Sequence, residues 1–147
     1  MNEEGRTELG TGNSNANTEC TTRPPGKGDD IAERLLALAA AVVKLLEALS
    51  QRPGAKNLVE QLERCGPAGG ANYEEARGAE SPADFIHKVR IALKEVRETR
   101  YWLRLVLAAE LLEDAHHLRA LIEEAGELIA ILTASANTAR RRSEPRA

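Results

Sequence analysis

Aromatic side chains make up only 3% of this 147-residue chain: one Trp, one Phe and two Tyr. Strands draw on aromatic and β-branched residues. The 42% that is hydrophobic is mostly Leu, Ala, Val and Ile, which points away from a sandwich or barrel and toward a helical bundle. Cysteine is nearly absent as well. Cys20 lies in a polar stretch and Cys65 in an apolar one, and the two make no disulfide framework. Long apolar runs are missing. The longest, Leu35 to Val43, falls far short of the roughly 18 residues that span a bilayer. The opening residues Met1, Asn2, Glu3 and Glu4 lack the pattern of a secretory signal. Nor is there an excess of positive charge: the net charge of −3 excludes a strongly basic nucleic-acid module as a description of the whole chain. The expectation is a soluble, cytoplasmic, all-α protein of about one domain.

Charge and composition divide the chain into three. Residues 1–28 hold five Gly, several Asn and Thr, and almost no large apolar side chain, so they read as a disordered tail. Residues 140–147 carry four Arg and one Glu, a basic C-terminal tail of net +3. The first 28 residues are net −1, which leaves −5 for residues 29–139 out of the total of −3. That middle part reads as four helices, at about 30–52, 55–79, 82–112 and 115–139. In the first, Ile31, Leu35, Leu38, Val42, Leu45 and Leu49 keep a seven-residue repeat that Pro53-Gly54 ends. The third opens on Ser81-Pro82-Ala83-Asp84, a capping Ser with Pro at the first helical position. Its stripe is Phe85, Val89, Ala92, Val96, Leu103 and Leu107. The fourth carries Leu118, Leu121, Ala125, Leu128 and Leu132.

The second helix sets two rules against each other. Leu58, Leu62, Cys65, Gly69, Asn72 and Ala76 share one stripe, yet Gly66-Pro67-Ala68-Gly69-Gly70 lies in its middle. Pro removes a backbone bond and each Gly costs about 1 kcal/mol in a helix. The stripe favours one helix kinked near Pro67, with the glycines admitting a close neighbour. Asn72 is then a polar node in an apolar seam, a place where a hydrogen bond can fix helix register.

Candidate chemistry is sparse. A di-metal bundle centre needs Glu-x-x-His on two helices and a Glu from each of the others. Glu113-x-x-His116 and Asp84-x-x-His87 match loosely, but both fall at helix ends, and His117 points to another face than His116. Solvated polar residues at helix termini are the simpler reading. Cys65 reads as a small buried hydrophobe, and Cys20 has no His placed to activate it. The Gly66–Gly70 stretch matches neither phosphate-binding pattern. The expectation is therefore no catalytic residue, no metal, no cofactor and no small-molecule substrate.

The stretch from Gly70 through Asn72, Tyr73, Glu74, Glu75 and Arg77 to Ser81 resembles a known family. So do Ala83-Asp84-Phe85-Ile86-His87-Lys88, the run Ile91 to Glu98, Tyr101-Trp102-Leu103, Glu123-Glu124-Ala125 and Leu128 to Thr133. The family is that of bacterial four-helix bundle proteins first associated with intervening sequences in 23S rRNA genes, and the resemblance spans about residues 30–140. It implies an antiparallel up-down four-helix bundle that assembles into a cyclic homopentamer, with the second helix running through Asn72. The same family includes the accessory variability determinant of diversity-generating retroelements, which binds a reverse transcriptase and nucleic acid.

Two further patterns bear on partners. Arg90, Lys94, Arg97 and Arg104 fall within an arc of about 80° on the third helix. That basic ridge suits RNA phosphates. The alternative is that it pairs with the acidic first or fourth helix, for example with Glu123, Glu124 or Glu127, and the net −5 of the folded part favours the alternative. Arg140, Arg141 and Arg142 are a freer electrostatic handle or a merely solubilising tail. Ile91, Trp102 and Leu105 form a second apolar strip, and Trp is common at interface hot spots, so they are candidates for a subunit contact. The resulting expectation is a non-enzymatic, homo-oligomeric scaffold that contacts RNA or an RNA-associated protein such as a reverse transcriptase. A protein-interaction module without nucleic-acid binding is the alternative.

Overall fold

The structure, a computed structural model, describes residue 26 and residues 28–144. Four helices fill it: α1 (Asp29–Ser50), α2 (Lys56–Arg77), α3 (Pro82–Ala108) and α4 (Ala115–Ser143). The disordered reading of residues 1–28 falls almost wholly outside the described residues, as does Cys20. Local chemistry sets the helix starts. Gly28 takes a left-handed conformation (φ +87°) before α1, and the Asp29 carboxylate accepts from the Gly26 N–H. The Asp84 N–H donates to Ser81 Oγ at 3.1 Å to cap α3, and the His117 N–H donates to Asp114 Oδ1 at 2.9 Å to cap α4.

Connections of five, four and six residues make successive helices antiparallel. α1 packs on α2, α2 on α3 and α3 on α4, while α4 returns to α1 through a sparser seam. The core is built from residues spaced alternately three and four apart. α1 contributes Leu35, Leu38, Val42, Leu45 and Leu49, and α4 contributes Leu118, Leu121, Ala125, Leu128 and Leu132. In α3 the buried set is Val89, Ala92, Val96, Thr99, Leu103 and Val106, with Leu93 beside it. Phe85 and Leu107 are only half-buried. Thr99 is the buried polar side chain of this core, and its Oγ1 donates to Glu95 O one turn back at 2.9 Å.

Two helix ends differ clearly from the sequence expectation. α3 ends at Ala108 rather than near residue 112, because Glu110 adopts φ +50°. The Glu110 N–H then bonds Leu107 O and the Leu111 N–H bonds Val106 O, the paired contacts of a left-handed helix stop. α4 does not stop at residue 139 but continues through Arg140, Arg141 and Arg142 to Ser143. Cations on a last turn meet the negative end of the helix dipole, which favours the extension. The arginines are thus part of a helix and not of a separate tail.

α2 is one helix through Pro67. Pro67 is exposed, opposite the seam, so the backbone acceptor it leaves without a partner lies on the water side. On the inner side the glycines admit the neighbours. A Cβ on Gly66 would stand 2.7 Å from Val42 Cγ1 of α1, and one on Gly69 would stand 2.7 Å from Val96 Cγ2 of α3. At Gly70 the nearest atom would be Leu35 Cβ at an ordinary 3.7 Å. Valine in a helix holds one χ1 rotamer, so neither valine can swing away. Gly66→Ala and Gly69→Ala should each destabilise the protein by about 1–3 kcal/mol. Gly70→Ala should stabilise it by up to about 1 kcal/mol through helix propensity. Thermal melting followed by circular dichroism separates the three.

Candidate nucleic-acid interface

Arg90, Lys94, Arg97 and Arg104 are all exposed along the outside of α3. Among the described residues none of the four has a carboxylate within ion-pair distance. This corrects the expectation that α1 or α4 neutralises them. Glu124 and Glu127 turn instead to α1, where Arg34 Nε and Nη2 donate to the two Glu124 oxygens at 2.7 and 2.8 Å and Nη2 reaches Glu127 Oε2 at 2.5 Å. These bonds cross the sparse α1–α4 seam. The Arg34 fork holds the Glu124 carboxyl below its ordinary pKa, and the two carboxylates hold the Arg34 guanidinium protonated.

The side of α3 that faces α2 is neutralised. Lys88 Nζ meets Glu75 Oε2 at 3.0 Å, and Arg64 Nη2 meets Glu98 Oε1 at 2.6 Å. Arg100 leaves the surface in the other direction, donating from Nε to Ile122 O of α4 at 3.2 Å beside Gly126. Two residues outside the sequence-derived set join the ridge. Tyr101 is exposed within its arc, and Arg119 of α4 lines a groove with Arg104. The wheel that gathered the four cations also contains Tyr101, so its signal was present; Arg119 needed the α3–α4 packing. Arg140, Arg141 and Arg142 are exposed around the last turns of α4. Arg140 Nε lies 3.9 Å from Glu144 Oε1, and Arg141 Nη2 donates to Thr138 Oγ1 at 3.4 Å.

The remaining candidates occupy varied settings. Asn72 is half-buried at the edge of the seam, and its Nδ2 donates to Ala68 O of its own helix at 2.9 Å. That bond links no second helix, so the expected register-fixing node is corrected: Tyr73 takes the buried place, its ring against Gly28. Ile91 and Trp102 are half-buried, Trp102 against the core, while Leu105 is 38% exposed. Leu36 and Val43 on α1 are more exposed, at 61% and 55%, and escaped the sequence reading because they lie outside the heptad stripe. Cys65 is buried beside Thr99, and burial pushes its thiol pKa up. Asp84 and His87 lie at the start of α3, and Glu113 and His116 at the start of the antiparallel α4, at opposite ends of the bundle. Among the described residues no three metal-ligating side chains come together, and no helix is long and apolar enough to cross a membrane.

These features define an all-α four-helix bundle that carries a row of exposed cations along one helix. The profile of the 23S rRNA-intervening sequence proteins matches residues 29–134, and the chain belongs to that family. It is similar to a solved protein of unknown function from the S23 ribosomal protein family of Bacteroides thetaiotaomicron VPI-5482. The two share 32% identity over 72% of this chain and 97% of that one, with a TM-score of 0.67. Among curated proteins none matches the chain.

The Arg34 fork has a testable pH signature. A carboxylate whose pKa is lowered by folding contributes stability above its unfolded value of 4.5, and loses it as the pH falls through the lower folded value. Arg34→Gln should therefore cost about 1 kcal/mol at pH 7, the usual scale of a half-exposed bidentate pair. The difference from the parent chain should shrink steadily below pH 4.5. Urea titrations at pH 7 and at about pH 3 measure it.

Proposed function

We propose that this protein is a non-enzymatic, self-associating helical scaffold that holds RNA on the outer face of α3. The observation that carries the reading is the row Arg90, Lys94, Arg97 and Arg104, exposed and without carboxylate partners among the described residues in a chain of net charge −3. An acidic protein that leaves four cations in line creates a local attraction for phosphate. The family's tie to 23S rRNA intervening sequences supports the same reading. A reverse transcriptase or other RNA-associated protein is the expected company of such a complex.

Self-association rests on the exposed apolar residues. Leu36 and Val43 stand on α1 and Leu105 on α3, helices that do not pack on each other. Two different patches on opposite corners suit a heterologous contact, which closes into a ring when the rotation allows. A pentamer, as the resemblance implies, would repeat each ridge five times and sum weak contacts through avidity. The same apolar patches favour a second reading, a protein-interaction module with no affinity for RNA.

Gel shifts with single-stranded RNA at about 50 mM salt decide between the readings. Retention should fall with rising salt by a slope of about −0.7 for each phosphate neutralised. Arg97→Glu, on an exposed position, should weaken binding and flatten the slope while leaving helical content unchanged. No retention by the parent chain overturns the RNA reading in favour of the module. Leu36→Glu combined with Val43→Glu should reduce the particle mass seen by light scattering. A parent chain that is monomeric at micromolar concentration overturns the assembly.

A further inference from the structure

Tyr101 stands in the middle of the cationic row. On the α3 wheel it lies inside the arc set by Arg90, Lys94, Arg97 and Arg104. Its surface is 58% exposed, so its ring is open to contact. It is propped from below. Tyr101 and Trp102 meet edge to face, centroids 5.0 Å apart and planes at 76°. Trp102 is half-buried, and its Nε1 donates to Glu98 Oε1 at 3.4 Å. Beside Tyr101 a groove of about 480 Å³ runs between α3 and α4, with Leu107 and Ile122 among its apolar lining and Arg104 and Arg119 as its cations. Glu123 lines it too, so two guanidiniums outweigh one carboxylate.

We infer that Tyr101 is a stacking platform for an unpaired base, with Arg97, Arg104 and Arg119 holding the neighbouring phosphates, so that the ridge takes single-stranded RNA and not a duplex. This rests on the RNA reading above. In a duplex the base faces are covered by their neighbours, and an exposed ring gains nothing from them. A single strand offers both parts: a π-face for the ring and phosphates for the cations around it. An apolar protein surface fits less well, since covering Tyr101 would strip water from the cations that flank it without supplying counter-charge. Every base has a face to stack, so the preference is for strandedness and not for sequence.

The test uses the full chain with a uridine RNA strand of about eight nucleotides, the same strand lacking its bases, and a short RNA duplex. Tyr101→Ala should weaken the base-bearing strand by about 5- to 150-fold, the range for losing one stacked base. It should leave the abasic strand unchanged, and Tyr101→Phe should keep parental affinity. Trp102, the one Trp of the chain, should report the base-bearing strand by a fluorescence change that the abasic strand does not produce. If Tyr101→Ala binds the base-bearing strand like the parent while Arg97→Glu does not, the stacking inference falls and the ridge stands. If the parent binds no RNA, both fall. Equal loss on both strands, or a drop in particle mass for Tyr101→Ala, assigns Tyr101 to a protein contact and overturns the inference.

Discussion

Val42 of α1 and Val96 of α3 rest on the backbone of α2 at Gly66 and Gly69, and the distances between these three helices depend on that contact. The glycines sit three residues apart and serve different neighbours, so α2 is pinched from both sides along a single turn. A helix with three glycines and a proline in its middle is a poor helix in isolation. It persists because the residues that weaken it locally permit the closest packing. Local and tertiary terms are opposed here, and the tertiary term wins because two stiff valines fill the space that side chains on α2 would need.

Charge is distributed by the same packing. The acidic balance of the chain does not describe any one of its faces. Toward α2, Lys88 and Arg64 are matched by Glu75 and Glu98. Across the sparse seam, Arg34 draws Glu124 and Glu127 away from α3 and ties α4 to α1. What is left on the outer face of α3 is cationic. The field that a polyanion meets is set at the scale of the Debye length, about 10 Å at moderate salt, and not by the total of −3. A weakly acidic protein can in this way carry a strongly basic row.

Apolar exposure adds a second theme. Leu36 and Val43 on α1, and Leu105 with Tyr101 on α3, stay open after every core position has been filled. The bundle needs one stripe per helix for its own interior, and these residues lie outside that stripe. They give the outer surface two kinds of contact, apolar on α1 and mixed aromatic and cationic on α3.

The helical class, the four elements and most of the seam were legible in the sequence, because a repeat of three and four is a local property of each segment. Leu35 to Leu49 and Leu118 to Leu132 needed nothing else. Extrapolation by sevens erred at Asn72, since a straight helix drifts about 20° per heptad, and two heptads after Leu58 the seam has passed to Tyr73. The end of α3 was not legible either: Glu110 in a left-handed conformation carries none of the signal that a glycine would. The four ridge cations could be placed on one face from spacing alone. Whether they would be neutralised could not, because the answer turned on Arg34, ninety residues before Glu124 in the chain. Periodicity tells which side of a helix a residue occupies; only the packed bundle decides what stands opposite, since that is set by contacts between segments far apart in sequence.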